Sequence, residues 1–322
     1  MQTNRFYLFL QTNKIAIKIA IFVLGAMLFR VHFFTPPDFF PTHVIYTVEK
    51  GQSVSEVAES LAEKKIIRSP FLFKSIVTFL DHSGGIKAGD YFFAEPCNVY
   101  VLAKRFTKAE YGIVPTKITV PEGYNVFQIA ELLKKHLNKF NSEQFIVSAK
   151  EGYLFPDTYL FPLNSTAGDV ISIMEKNFNV KTKDLTEDIK MSGKSLDDIV
   201  NMASILEEEA RTTETRQIIS GILWKRIEIG MPLQVDVTFQ YVNGKNSYEL
   251  SAEDLKIDSP YNTYQNVGLP PTAISNPGYD SIVAALKPTS TPYLYFLSSK
   301  AGVMYYAKDF QGHKKNRELY LN

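Results

Sequence analysis

The stretch Ser195–Met231, SLDDIVNMASILEEEARTTETRQIISGILWKRIEIGM, decides how the second half of the chain folds. Ser195 is a good helix N-cap residue, and two acids follow it in the first turn, where the helix dipole favours negative charge. Apolar residues then recur at helical spacing until the pattern breaks near Arg211–Thr213. The stretch therefore predicts two consecutive helices, the second of which ends at Gly230.

Three consecutive glutamates close the first of these helices. At about 100° per residue, Glu208 falls on the polar side of the helix, whereas Glu207 and Glu209 fall inside the apolar arc. A carboxyl group held against apolar neighbours has a raised pKa because burial disfavours its charged form, and a general acid near neutral pH needs that property. The alternative is a solvated helix face, since acids are rarely buried unless they are paired.

Composition gives an ordinary globular class. The chain has 322 residues, 45% of them hydrophobic and 21% charged, with a net charge of +1, so bulk charge does not indicate nucleic-acid binding. Cys97 is the single cysteine, which rules out an intramolecular disulfide and a cysteine-based metal site, and the five histidines show no ligand spacing. We therefore expect no metal and no cofactor.

The amino end predicts a membrane anchor. Residues 15–34 are mostly apolar, with Lys18 near one end and Arg30 near the other, and about 20 residues are enough to span a bilayer. Basic residues before or at the start of this segment favour a cytoplasmic amino end. We expect a cytoplasmic tail over residues 1–14, a transmembrane anchor over 15–34 and a proline-rich stalk over 35–43; a buried core helix is the alternative.

An internal repeat appears when the chain is shifted by 72 residues. Val48–Leu61 aligns with Val120–Leu133, and each copy predicts a short strand, a glycine turn and an amphipathic helix with Ser53 or Asn125 as N-cap. The shared pattern V-x-x-G-x-x-V-x-x-[VI]-A-x-x-L resembles the LysM type of module, which binds glycans that contain N-acetylglucosamine. A packing module built in the same way is the alternative.

Two further segments carry candidate binding residues. Glu151 and Asp157 flank an aromatic run, which predicts either a saccharide-stacking wall or an aromatic corner of the core. The segment Leu233–Tyr241 alternates strictly between apolar and polar residues, as a strand does. Its polar face predicts the wall of a sugar-binding groove or, alternatively, a solvated sheet face, and consists of Gln234, Asp236, Thr238 and Gln240.

Several longer motifs follow one another in a characteristic order. They are Ala203-Ser-Ile-Leu-Glu207-Glu-Glu209, Ile229-Gly-Met-Pro-Leu-Gln234-Val-Asp236-Val-Thr238, Ser259-Pro-Tyr-Asn-Thr-Tyr264, Gly268-Leu-Pro-Pro271, Asn276-Pro-Gly278 and Tyr293-Leu-Tyr-Phe296. In this order they resemble the MltG/YceG family of endolytic murein transglycosylases, and the segment from Glu151 to Asp157 fits the same family. One departure lies near the carboxyl end, where Met304 stands in a strand that usually holds a histidine, so we leave the tail out of the site.

The resemblance implies a bacterial inner-membrane enzyme that cleaves nascent peptidoglycan strands inside the chain, with most of its length outside the cytoplasm. It implies that Glu207 is the catalytic residue. The fold it implies is α+β, with a small LysM-like domain over residues 44–115 and an α+β catalytic domain over 116–322. Peptidoglycan strands are then the substrate, and peptidoglycan synthases are candidate partners.

The residues also suggest a mechanism. Glu207 and Glu209 point about 160° apart on one helix, so they cannot flank one bond as the paired carboxylates of ordinary glycosidases do. A single acid/base suits a lytic transglycosylase, in which Glu207 protonates the departing oxygen and then takes the proton of the muramyl 6-hydroxyl as the 1,6-anhydro ring closes. Glu209 is expected to orient site groups. The sugars are expected to be positioned by Gln234, Asp236, Thr238, Tyr261, Asn262, Tyr264, Glu151 and Asp157.

Two rival interpretations stay open at the level of sequence. One is a hydrolase in which Asp236 activates water opposite Glu207. The other is a non-enzymatic glycan-binding scaffold built on the repeats.

Overall fold

Two units of the chain each have their own apolar interior, the first ending at Val114 and the second beginning at Pro115. In the part of the chain that the structure describes, the strands are short and pair in three separate two-stranded antiparallel sheets, while helices provide most of the ordered backbone. The fold is therefore mixed α+β, as predicted. This computed structural model describes residues 14–81, 85–245, 249–299 and 301–321.

The first unit packs helices against one two-stranded sheet. Its elements are α1 (Lys14–Phe34), β1 (Val44–Val48), α2 (Val54–Glu63), α3 (Pro70–Leu80), β2 (Gly89–Phe93) and α4 (Val99–Lys108). Strands β1 and β2 are antiparallel, with Tyr46 opposite Tyr91. The ring of Tyr91 stacks on Phe106 of α4 at a centroid distance of 4.1 Å, so aromatic packing joins the sheet to the helices.

Helix α1 covers the segment that was predicted to be a membrane anchor. Over the described part of the chain, no helix combines the length and the apolarity that crossing a membrane requires. Residues 1–13, which make up most of the predicted cytoplasmic tail, lie outside the described residues.

The second unit is larger and contains the glutamate triplet. It begins with β3 (Thr116–Thr119), α5 (Val126–Lys134), α6 (Ser142–Ser148), β4 (Thr158–Phe161), α7 (Ala167–Lys181), α8 (Thr186–Ser192), α9 (Leu196–Glu209) and α10 (Thr213–Glu228). It ends with α11 (Phe239–Val242), α12 (Tyr279–Leu286), β5 (Tyr295–Ser298), β6 (Met304–Ala307) and α13 (Phe310–Tyr320). Short 3-10 turns lie at Lys183–Leu185, Asp236–Thr238 and Asp254–Lys256.

The predicted helix pair around the glutamates is confirmed as α9 and α10. The Ser195 hydroxyl accepts the backbone N–H of Asp198 at 3.0 Å, as an N-cap should. Every residue from Ile199 to Leu206 is buried, including two polar ones. Helix α9 is therefore central, with α12 and α10 packed against its buried middle, while its first turn at Asp197 and Asp198 and its glutamate end lie nearer the surface.

The two copies of the repeat adopt the same local structure. Each runs from a strand through a glycine of positive φ into a helix with a complete capping box, at Ser53 in the first copy and at Asn125 in the second. The predicted strand–turn–helix unit is thus confirmed. Its likeness to LysM modules stays a prediction.

The predicted strand over Leu233–Tyr241 is wrong. The segment instead forms the 3-10 turn Asp236–Thr238 followed by α11. Gln234 has a φ of +50°, and its N–H bonds the carbonyl of Thr263 at 3.0 Å, while the N–H of Val235 bonds the Thr263 hydroxyl at 3.1 Å. The backbone therefore finds its partners in one loop residue, and the left-handed kink at Gln234 interrupts the alternation on which the strand prediction depended.

Candidate active site

Glu207 lies in the last turn of α9 and is held by two donors. The guanidinium of Arg216, in the first turn of α10, donates from Nη2 to Glu207 Oε1 at 2.6 Å. The backbone N–H of Gly278, at the start of α12, donates to Glu207 Oε2 at 2.8 Å. The Glu207 side chain is 7% exposed and that of Arg216 is 10% exposed, so the pair is largely shielded from water.

This environment corrects the prediction that Glu207 is an unpaired carboxyl among apolar groups. The burial was expected, but the partners were not. A cation and an N–H donor both stabilise a carboxylate. A second bond from Arg216, from Nε to the carbonyl of Ala210 at 3.1 Å, fixes the guanidinium in place.

Asn276 and Gly278 of the predicted Asn276-Pro-Gly278 motif build the other wall of the site. The Asn276 amide oxygen accepts the N–H groups of Gly152 and Leu154, both at 2.9 Å. Its amide nitrogen donates to Glu151 Oε1 at 2.6 Å. Asn276 is fully buried, and it holds the chain so that the Gly278 N–H reaches Glu207.

Gly278 has a steric reason to be glycine. A Cβ atom added there would collide with the carboxyl group of Glu122. The loop that carries Glu122 also lies close to the end of α9, since a Cβ atom on Gly123 would meet Glu208 Oε1 at 2.8 Å and Glu207 Cγ at 3.7 Å. Glu122 is thus a residue of the site.

The sequence did not identify Glu122 as a site residue, because Glu122 was interpreted only as part of the second copy of the repeat. A signal was available: at the position before the repeat glycine, the first copy has Lys50 and the second has Glu122. Partial burial raises the pKa of the Glu122 carboxyl, and the charge of Glu207 raises it further.

Glu209 differs from Glu207 in its hydrogen bonding. Among the described residues, none donates a hydrogen bond or an ion pair to its carboxyl group, so the orienting bond predicted for it is not found. Burial raises the pKa of Glu209 to about 8, and the neighbouring charges of Asp236 and Glu208 act in the same direction. Glu209 therefore has the raised pKa that the helical wheel predicts for a carboxyl in the apolar arc.

The residues of the predicted polar row after α10 have different surroundings in the structure. Asp236 accepts the hydroxyl of Tyr264 at 2.6 Å and lies near Glu209. Gln234 is exposed. Thr238 is fully buried and donates to the carbonyl of Val235 at 3.1 Å, so its hydroxyl stabilises the turn and is not available to a sugar.

The other two residues that were predicted from the Tyr-Asn-Thr-Tyr motif, Tyr261 and Asn262, also differ in their surroundings. The Asn262 amide is buried and donates to the carbonyls of Leu255 and Ile257 at 3.1 and 2.8 Å, which corrects its predicted role in sugar binding. Tyr261 is partly exposed, and its ring stacks on Tyr241 at a centroid distance of 5.2 Å. Tyr261 therefore presents an aromatic surface, as a saccharide site requires.

The two acids of the aromatic run lie in different places. Glu151 accepts the N–H of Val126 at 3.0 Å, the hydroxyl of Tyr241 and the amide of Asn276, so it links the start of α5 to the site wall. Burial raises the pKa of the Glu151 carboxyl. Asp157 instead pairs with Lys181 at 3.0 Å and lines a separate cavity of about 310 Å³ that includes none of the α9 glutamates.

Within the part of the chain that the structure describes, no group of three or more His, Cys, Asp or Glu side chains is arranged to hold a metal ion. The site that the structure does define is an acid–base site. It has one carboxylate held by an arginine and a backbone N–H, with further carboxyls of raised pKa around it.

Comparison with known proteins agrees with this class. The model of the YceG-like family matches residues 46–319, so the chain belongs to that family. An endolytic murein transglycosylase of Bacillus subtilis (strain 168) is 33% identical over 310 residues, which cover 87% of this chain and 86% of that protein. An endolytic murein transglycosylase of Streptococcus pneumoniae (strain D39) is 27% identical, over 87% of this chain but 59% of the relative.

A solved structure supports the fold. The 2.6 Å crystal structure of a putative yceG-like protein from Listeria monocytogenes has a TM-score of 0.58 and 30% sequence identity to this chain. The match covers 84% of this chain and 98% of that one. The similarity therefore extends over both units rather than over one motif.

Proposed function

We propose that this protein is an endolytic murein transglycosylase, a lyase that cleaves the glycan strands of peptidoglycan. Family membership and the relatives' activity support the reaction class. The observation that carries the assignment to a site is the Glu207 carboxylate, which is shielded from water and held by Arg216 and the Gly278 N–H. The side chain is thus fixed in one geometry, as a catalytic group must be.

The finer proposal is a lytic route between N-acetylmuramic acid and N-acetylglucosamine. As the C1–O4 bond breaks, the departing oxygen gains a proton, and the muramyl O6 loses its proton to Glu207 and bonds to C1. The product then has a 1,6-anhydro end. Because its two partners stabilise a carboxylate, Glu207 is suited to the proton-accepting half of this reaction.

Hydrolysis with Asp236 as the base for a water molecule is the rival. The contacts of Asp236 argue against it, because the carboxyl accepts the Tyr264 hydroxyl and its charge acts on Glu209. A hydrolase would place its two carboxyls on opposite sides of one bond. Asp236 is better suited to position sugars together with Tyr264.

Mass spectrometry of the products tests the route. The purified protein is incubated with uncrosslinked peptidoglycan, and the fragments are analysed before and after borohydride reduction. We expect anhydro ends, which are one water lighter than hydrolytic ends and resist reduction. Reducing ends would instead favour hydrolysis, and the absence of any cleavage would favour the scaffold interpretation.

We also propose that residues 15–34 anchor the protein in the bacterial plasma membrane, with the second unit outside the cytoplasm. The apolar composition of this segment and the helical backbone of α1 support the proposal. After carbonate extraction of membranes, the full chain should remain in the pellet. Its release into the supernatant would contradict an anchor.

Glycan binding by the repeat-bearing units and association with a peptidoglycan synthase complete the proposal. Support for glycan binding comes from the shared strand–turn–helix structure of the two copies. Sedimentation of the full-length Glu207→Gln protein with insoluble peptidoglycan tests glycan binding without turnover. We expect it to sediment with the glycan, and a protein left in the supernatant would contradict binding.

A further inference from the structure

The lytic reaction needs a group that gives a proton as well as one that takes a proton. Glu207 is suited to take one, because Arg216 and the Gly278 N–H stabilise its carboxylate. The proton for the departing oxygen then has to come from another group close by. Among the described carboxyls, Glu122 has the position that this role requires.

Glu122 and Glu207 contact the same residue from different parts of the chain. Glu207 accepts the N–H of Gly278 at 2.8 Å, and the carboxyl group of Glu122 occupies the space where a Cβ atom of residue 278 would lie. The two carboxyls are therefore neighbours across one glycine. They come from a loop and from a helix, so they can approach a substrate from different directions.

Backbone hydrogen bonds fix the loop that carries Glu122. The N–H of Gly123 donates to the carbonyl of Asn276 at 3.1 Å, and the N–H of Asn276 donates to the carbonyl of Tyr124 at 3.0 Å. The Asn276 amide adds a bond to the same Tyr124 carbonyl at 2.9 Å. The residues on either side of the Glu122–Gly278 contact are thus tied together.

The Glu122 side chain itself is free to meet a substrate. It is exposed, and among the described residues no hydrogen bond or ion pair engages its carboxyl group. Partial burial and the charge of Glu207 raise the pKa of this carboxyl, although Arg216 opposes the shift. A carboxyl with these neighbours holds its proton to a higher pH than a solvated glutamate does.

We propose that Glu122 is a second catalytic carboxyl, which donates the proton to the departing N-acetylglucosamine oxygen while Glu207 accepts the proton of the muramyl 6-hydroxyl. The C1–O4 bond breaks and the C1–O6 bond forms. At the end of the step Glu122 is charged and Glu207 is protonated. The proton then passes from Glu207 to Glu122, which restores both groups. This inference rests on the proposed lytic function.

Two other carboxyls fit this role less well. Glu208 follows Glu207 on the same helix and lies against Gly123 and Ser275 rather than Gly278. Glu209 points about 160° away from Glu207 around the helix, towards Asp236. Neither of them can face Glu207 across Gly278.

The test compares two substrates with different leaving groups. One is uncrosslinked peptidoglycan; the other is a muramyl glycan with 4-nitrophenoxide at the scissile position, which departs without protonation. Glu122→Gln should lower kcat on peptidoglycan by about 10²–10⁴-fold, the usual contribution of a general acid, but leave cleavage of the nitrophenyl substrate close to the wild-type rate. Glu207→Gln should impair both.

Glu228→Gln, an exposed change at the end of α10 and outside the repeats, is the matched control, and thermal unfolding checks that each variant folds. Glu122→Asp keeps the carboxyl but shortens its reach, and should retain part of the activity on peptidoglycan. The inference is overturned if Glu122→Gln cleaves peptidoglycan at the wild-type rate, or if its cleavage of both substrates falls equally. It is also overturned if Glu208→Gln, rather than Glu122→Gln, loses activity on peptidoglycan alone. Reducing ends from the wild type would refute the lytic function itself, a separate result.

Discussion

At the end of helix α9, the glutamates on its two sides have different surroundings. On one side Glu207 is paired with Arg216 at 2.6 Å and with the Gly278 N–H at 2.8 Å. On the other side Glu209 has no donor among the described residues, lies near the charge of Asp236, and has a pKa raised to about 8. Two carboxyls that are two residues apart therefore have different surroundings, one with a cation and an N–H donor and the other with neighbouring acids.

This difference shows that helix periodicity places a carboxyl but does not choose its partner. The helical wheel puts both side chains among apolar residues of α9. The partners come from α10, nine residues further along the chain, and from the start of α12, 71 residues further along. The surroundings of each carboxyl are set by those tertiary contacts rather than by the arc of the helix in which it lies.

Replacing Arg216 should leave Glu207, like Glu209, without a cationic partner. Arg216→Gln leaves Glu207 buried without a cation, and breaking a buried ion pair in this way costs about 3–5 kcal/mol of the free energy of unfolding. Urea denaturation at pH 7 measures the loss. Arg211→Gln, an exposed change in the preceding turn, is the control and should change stability little. Equal stabilities of the two variants would show that the pair contributes nothing.

Asn276→Ala should disturb the Glu207 side without touching a glutamate of α9. The N–H groups of Gly152 and Leu154 lose their acceptor, and each unsatisfied buried group costs about 1–3 kcal/mol. We expect a loss of about 3 kcal/mol in chemical denaturation. Asn138→Ala, on the surface, is the control. A wild-type unfolding midpoint for Asn276→Ala would contradict the role of this amide.

Gly278→Ala changes only the glycine that Glu122 and Glu207 both contact. The added methyl group collides with Glu122, and overpacking of this kind costs about 1–3 kcal/mol. Cleavage of peptidoglycan should fall as well, because the Gly278 N–H must move away from Glu207. Gly168→Ala in α7, where the nearest atom lies at 3.9 Å, should leave both properties intact. A fully active Gly278→Ala protein would refute the steric argument.

The Glu209 side gives an effect of a different kind, a change in the pH dependence of stability. The folded pKa of about 8 lies above the usual 4.5, so the folded state binds the extra proton between these values. Wild-type stability should therefore fall as pH rises from about 4.5 through about 8. Glu209→Gln should remove this slope, and denaturation curves at several pH values measure it. A slope that persists unchanged would assign it to another group.

Local patterns predicted the helices around the site well. Ser195 caps α9 as its residue type indicates, and the break near Arg211–Thr213 falls between α9 and α10. Both features depend on residues within one or two helical turns, so their signals lie in neighbouring positions. The same holds for Asn125 and its capping box.

The predictions failed where contacts with other segments of the chain determine the local structure or the partner of a side chain. The alternation from Leu233 to Tyr241 fits a strand, but hydrogen bonds to Thr263 and the left-handed Gln234 produce a turn. Arg216 lies nine residues after Glu207 on another helix, and no periodicity within α9 reveals that pairing. Glu122 was visible only as part of a repeat, because its contact with Gly278 spans most of the second unit.

The most direct test of Glu207 as the catalytic carboxyl is the rate of glycan cleavage by Glu207→Gln beside that of the exposed variant Glu228→Gln. Both proteins are purified, shown to fold, and incubated with uncrosslinked peptidoglycan, and the released anhydro ends are counted by mass spectrometry. We predict that Glu207→Gln releases none above background, while Glu228→Gln matches the wild type. Wild-type release by a folded Glu207→Gln protein would contradict a catalytic role for Glu207.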